Sequence, residues 1–127
     1  MMKKYLKRIL RIINLTLSNK KYLVLGDSHA MVFNHPIFKL YFPFKFFDVN
    51  VVHGATISGI ENPNSKTNAH NIFKERLANS KNNNKIILLI GEVDTGFVIW
   101  YKAEKENLDV QQILNETLNV LNMLLQW

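Results

Sequence analysis

Three short runs of the chain are apolar almost without interruption: Tyr22–Leu25, Phe46–Val52 ("FFDVNVV") and Lys85–Ile90 ("KIILLI"). Each is rich in β-branched or aromatic residues, the pattern of strands covered on both faces of a parallel sheet. Between and after them the apolar positions recur at helical spacing. Residues Thr67–Ser80 place Ile72, Phe73 and Leu77 on one side, with Asn82–Asn84 closing the segment. Residues Asn107–Trp127 place Val110, Ile113, Leu114, Leu118, Leu121 and Leu125 on a stripe. The stretch "AMVFNHPIFKLYFPF" is apolar but interrupted by Pro36 and Pro43, which predicts a short helix followed by an irregular connection.

Strand–helix alternation predicts one α/β domain with right-handed crossovers. In such sheets the reactive groups sit in loops beyond the carboxyl ends of the strands. Those loops are the chemically loaded ones here: "GDSHA" after the first strand, "HGATISGIENPNS" after the second and "GEVDTGFVIWY" after the third.

The net charge of +6 changes the picture of the first twenty residues only. Lys3, Lys4, Lys7, Arg8, Arg11, Lys20 and Lys21 are seven of the sixteen basic residues, and no acid precedes Asp27. From Tyr22 onward nine basic residues face ten acidic ones, so the domain lacks the basic face that nucleic-acid binding requires. Residues 1–20 read as a basic amphipathic leader helix with Leu6, Ile9, Leu10, Ile13 and Leu17 on one face, and residues 21–127 as the α/β domain. The plainer expectation is a helix packed on its own domain. The functional one is peripheral contact with a membrane surface or a partner. Arg8 and Arg11 interrupt the apolar run, so the segment is neither a signal peptide nor a bilayer span, and a cytoplasmic, membrane-peripheral location is expected. With no cysteine in the chain, disulfides, a catalytic thiol and cysteine-bound metals are excluded, and no cofactor is expected.

Gly26-Asp27-Ser28 at the end of the first strand, a glycine-containing loop after the second and Gly91-Glu92-Val93-Asp94 after the third occur in that order. In this the chain resembles the N-terminal part of an SGNH (GDSL-type) hydrolase. The resemblance implies a flavodoxin-like three-layer α/β/α domain with parallel strand order 2-1-3, and places Ser28, Gly59 and Asp94 on one sheet edge. It also implies Ser28 as nucleophile with its own N–H as an oxyanion donor. A second donor would be Gly59, which matches best, or Gly54. The third block of the family is Gly-x-Asn-Asp; Gly91 and Asp94 match it, whereas Val93 stands where a side-chain donor is expected. The Asp-x-x-His that supplies the base is missing, since no histidine follows His70. The family domain is therefore expected to be partial, ending before its last strands. A serine hydroxyl is a weak nucleophile without a neighbouring base, so low esterase activity is expected. The catalytic candidates are Ser28, Asp27 and, as substitute base at the end of the second strand, His53. His29 is expected to diverge from its neighbour Ser28, and His35 and His70 to be surface or packing residues.

Asp27-Ser28-His29 is also Asp-x-His, which resembles the first motif of calcineurin-like metallophosphoesterases. On that alternative Asp27, His29, Glu92 and Asp94, with His53 as a further candidate, would hold metal. The carboxylates of the third loop are spaced one residue too close for it, and a whole strand–helix unit separates the two motifs. The loop after the third strand also resembles SGNH-like proteins of surface-polysaccharide synthesis. Gly91, Glu92, Asp94, Trp100 and Glu104 would then contact a small-molecule or saccharide ester, with Trp100 and Tyr101 stacking on the sugar. Equally, those rings would cover a sheet edge. A third alternative is a non-catalytic protein that binds a ligand or partner, or self-associates, through the exposed edge of the third strand.

Overall fold

The computed structural model describes residues 20–80 and 85–126, together with Tyr5, Arg8 and Ile9. In chain order the elements are β1 (Lys20–Gly26), a 3-10 turn (Ser28–Asn34), α1 (Pro36–Tyr41), β2 (Lys45–Val51), α2 (Ile57–Ile60) and α3 (Ala69–Asn79). There follow β3 (Lys85–Leu89), a π-helical turn (Asp94–Val98), α4 (Ile99–Glu106) and α5 (Val110–Leu124). The three apolar runs pair in parallel into one open sheet of order β2–β1–β3, the flavodoxin-like α/β arrangement that the motif order implied. Val24 pairs with Val49 on one side and Ile87 on the other, and Gly26 with Val51 and Leu89. As the central strand β1 is covered on both faces, and Leu23, Val24 and Leu25 are all buried.

The two faces are packed with different side chains. On one, Leu23 and Leu25 meet Val52, Ala55, Ile60 and Ala69, together with Phe73 of α3 and Leu124 of α5. Here Arg76 of α3 donates Nη2 to Asp48 Oδ2 of β2 at 2.6 Å. On the other face an aromatic cluster joins β1 and β2 to α1. Tyr22 stacks on Phe47 with centroids 5.1 Å apart, and Phe33, Phe38 and Phe42 pack edge-on or tilted around Phe47. Pro36 opens α1 at a position where its missing N–H costs nothing, and His35 Nδ1 caps the helix by accepting from Ile37 N at 3.3 Å.

Two departures from the sequence pattern concern the C-terminal third. Residues 94–106, read as loop, are a π-helical turn running into α4, whose Ile99 and Ala103 bury against Ile113 of α5. Asn107 ends α4 in the left-handed conformation (φ 51), a conformation asparagine tolerates better than most side chains. The buried ridge of α5 is Ile113, Thr117, Val120 and Leu124, whereas Leu118 and Leu125 of the expected stripe are exposed. Thr117 can take a buried position because its hydroxyl donates to Ile113 O at 2.9 Å. The leader helix lies outside the described residues, apart from Tyr5, Arg8 and Ile9, which are helical and exposed; so does the Asn82–Asn84 turn. Among the described residues no helix is long and apolar enough to cross a membrane.

Candidate functional site

The carboxyl edge of the sheet begins at Gly26. A Cβ there would lie 2.3 Å from Leu89 O and 2.8 Å from the Ala30 side chain, so only glycine lets the first and third strands stay paired up to the loop. Asp27 N then donates to Leu89 O at 3.1 Å, and Val52 N to Gly26 O at 2.9 Å, which ties the end of β1 to both neighbours. Asp27 is 2% exposed and caps the 3-10 turn, its Oδ1 accepting from His29 N at 2.9 Å. Ser28 begins that turn on the outside. It is exposed, and among the described residues neither its N–H nor its Oγ is hydrogen-bonded.

The same turn swings His29 back over Asp27. Nδ1 lies 3.0 Å from Asp27 Oδ1, and Nε2 lies 2.7 Å from Glu92 Oε2. The imidazole thus bridges a buried carboxylate after β1 and an exposed one after β3. With both ring nitrogens occupied, it has none to offer Ser28.

Asp94 has no exposed surface and reaches across to the second loop. Its Oδ2 accepts from Ile57 N at 2.7 Å, while Oδ1 accepts from Ser58 N at 3.1 Å and Ser58 Oγ at 3.0 Å. Three donors, two of them the first amides of α2, compensate the buried charge. Gly59 is drawn into the same cap, its N–H donating to Thr56 Oγ1 at 2.9 Å. That donor is already used inside its own helix. The other glycine of the loop differs. Gly54 lies in a turn closed by Ala55 N on Val52 O at 3.1 Å, takes φ 72, and its N–H has no acceptor among the described residues. Since Val52 is bonded to Gly26, Gly54 and the exposed His53, both without a hydrogen bond among the described residues, follow β2 directly beside the end of β1.

On the β3 side Gly91 adopts φ 115, and a Cβ there would meet Ile57 Cδ1 at 2.9 Å. Its carbonyl accepts from both Thr95 N (2.9 Å) and Thr95 Oγ1 (3.0 Å). Trp100 donates Nε1 to Thr95 O at 2.8 Å and leaves its ring 58% exposed. Phe97 stacks on Tyr101 beside it, centroids 5.6 Å apart. Val93 is a half-exposed apolar side chain with nothing to donate.

The structure therefore gathers Asp27, His29 and Glu92 into one chain of contacts. Asp94 is engaged elsewhere, with both oxygens committed to α2. Among the described residues no group of three or more His, Cys, Asp or Glu side chains is arranged to hold a metal ion. The Asp-x-His pattern grouped Asp27, His29 and Glu92 as metal ligands, whereas in the structure the imidazole contacts both carboxylates directly. The sequence reading missed the cap on Gly59, for which Thr56 three residues earlier was a usable sign. His70 is a packing residue: Nδ1 lies 2.7 Å from Ile60 O, which requires its proton on that nitrogen. Comparison with protein-family models, with curated proteins and with solved structures found no match.

Proposed function

We propose that this chain is an SGNH-like acyl-handling domain that receives a small-molecule or saccharide ester at Ser28 and hydrolyses it slowly. One observation carries the reading. Ser28 is exposed at the carboxyl edge of the central strand, in a loop held by ties to β2 and β3, and among the described residues neither its Oγ nor its N–H is bonded. In the reaction Ser28 Oγ gives its proton to solvent water and bonds to the ester carbonyl carbon, and the carbonyl oxygen takes up negative charge. Collapse of this intermediate breaks the ester C–O bond, the alcohol leaves with a proton from water, and a second water cleaves the acyl group from Ser28 as the free acid. The amides of Ser28 and Gly54 are the donors available to the charged oxygen, each contributing on the order of 3 kcal/mol when well aligned. Trp100, its ring locked by the bond to Thr95 O, offers a flat face to a sugar-borne ester.

The slowness follows from the same geometry. A hydroxyl without an adjacent base stays protonated at neutral pH. His29 is taken by Asp27 and Glu92, and His53 makes no hydrogen bond to Ser28. Treatment with an alkyl fluorophosphonate, followed by peptide mass spectrometry, tests the reading. The folded chain should form an adduct at Ser28, slowly, and in preference to Ser58, Ser65 and Ser80. Labelling of Ser28 no faster than in the urea-unfolded chain would defeat the proposal.

A further inference from the structure

Helix α1 is apolar all round. Its inward residue Phe38, with Phe42 capping the helix, packs in the aromatic cluster with Phe33 and Phe47. Its outward residues, Ile37, Leu40 and Tyr41, are spaced three and four apart on the opposite side, and all lie in water, Leu40 at 77% and Tyr41 at 76% exposed. Lys39 is the one polar side chain of the helix. Phe44, in the following turn, and Met31 and Val32, in the preceding one, are exposed as well. Scattered exposed apolar residues are ordinary in proteins, but a helix with two apolar faces is expected to have something apolar against both.

Charge identifies the occupant. From Ser28 to Phe47 the sequence contains no acid, while exposed Lys39 lies among the apolar side chains and half-buried Lys45 follows them, its ammonium 4.9 Å from the centroid of the Phe42 ring. Residues 1–47 hold nine Lys and Arg against a single acid, Asp27, which is buried and bonded to His29; the remaining eighty residues hold seven against nine. Leucine, isoleucine, tyrosine and phenylalanine flanked by lysines are the side chains that settle at the headgroup boundary of a bilayer. A protein partner would need acids of its own to match this surface, whereas an anionic membrane supplies the complement as a plane.

We propose that α1 and the turn after it, through Ile37, Leu40, Tyr41 and Phe44 with Lys39 and Lys45 at the rim, dock this domain on an anionic membrane surface. The apolar side chains enter the headgroup boundary, and the lysines keep their ammonium groups at the level of the lipid phosphates. The proposal is independent of the chemistry at Ser28. It places a membrane contact on the folded domain, separate from any made by the first twenty residues.

Co-sedimentation of the full chain with lipid vesicles tests it. Vesicles with equal parts of phosphatidylcholine and phosphatidylglycerol should retain the chain, and vesicles of phosphatidylcholine alone should retain it at least about tenfold less. The double variant Leu40→Glu/Tyr41→Glu should lose on the order of a hundredfold in binding to the anionic vesicles, with an unchanged circular dichroism spectrum. Leu40→Ser/Tyr41→Ser, which adds no charge, should lose at least about tenfold. Three results would overturn the proposal: equal retention by both kinds of vesicle, no retention by either, or wild-type binding by the two double variants. The last would assign membrane contact to the N-terminal cations alone. A concentration-dependent dimer in sedimentation velocity that the same variants abolish, without vesicle binding, would assign the face to a second copy of the chain.

Discussion

The loops after β1 and β3 each bury an aspartate at the same sheet edge, and they use it in opposite ways. Asp27 is satisfied locally, by an amide and an imidazole two residues away, and its neighbour Ser28 faces solvent with unused polar atoms. Asp94 is satisfied by Ile57 and Ser58, more than thirty residues away in sequence, and leaves no oxygen over. The first loop displays chemistry; the second holds the edge together so that the first can. A buried carboxylate is thus a poor indicator of catalysis until its donors are known.

Substitution at the two aspartates should separate these roles most sharply. Asp94→Ala strips one buried and two part-buried donors of their acceptor and should destabilise the domain by about 3 kcal/mol. That is a large fraction of what a chain of this size commands. Asp27→Ala should cost less, on the order of 1–2 kcal/mol, because half-exposed His29 can turn its ring to water. Urea denaturation of both variants checks the order, and equal losses would erase the distinction between the loops.

Next in size is Gly26→Ala. The added Cβ meets a backbone carbonyl at 2.3 Å, and Leu89 O cannot move without giving up its bond from Asp27 N. A loss of about 2–3 kcal/mol is expected, together with faster hydrogen exchange at Asp27 N. The exchange readout ties the loss to the β1–β3 seam. A smaller effect is expected for Glu92→Gln. Glu92 is largely exposed, so its contact with His29 contributes under about 1 kcal/mol, and thermal melts should barely shift. A shift comparable to that of Gly26→Ala would mean that the imidazole bridge holds the first and third loops together as firmly as the bond from Asp27 N to Leu89 O does.

How far the sequence disclosed this arrangement depends on the range of the interaction. The strands were legible because a strand buried on both faces leaves an unbroken apolar run, whereas their order, 2-1-3, was implied only by the resemblance in the succession of motifs. Ser28 was legible as a loop residue because the apolar run of the first strand stops at Gly26 and an acid and a hydroxyl follow directly. The α4 region was not, since Gly96 and the irregular spacing of Phe97, Trp100 and Tyr101 hide a helix that begins with a π-turn. The ridge of α5 was misjudged because Thr117, polar in any scale, is buried by bonding its own backbone. Asp94 lies in the loop where it was expected, but its contact with Ile57 and Ser58 depends on how two loops close over the sheet, and no local pattern encodes that. Gly59 was preferred over Gly54 by motif match alone, and the Thr56 cap reverses that preference at the level of available donors.

The smallest effect is expected at the residue the proposed function most depends on. Ser28→Ala removes a hydroxyl that bonds nothing among the described residues, so stability should change by less than about 0.5 kcal/mol. Turnover of p-nitrophenyl acetate by the unaltered chain should lie near background, and Ser28→Ala should alter it less than about twofold, because the step that limits an unassisted serine is loss of its proton. Stability and turnover together then distinguish a displayed residue from a structural one: Asp94→Ala loses stability, Ser28→Ala changes neither stability nor turnover appreciably, and only a strong electrophile such as the fluorophosphonate registers Ser28 at all. If instead the chain turns over the ester rapidly and Ser28→Ala abolishes it, a base must reach Ser28 in the working state. His53 is the imidazole in the adjoining turn that no hydrogen bond restrains. His53→Ala would then remove the activity, whereas His29→Ala, acting on a ring already held by two carboxylates, would leave most of it.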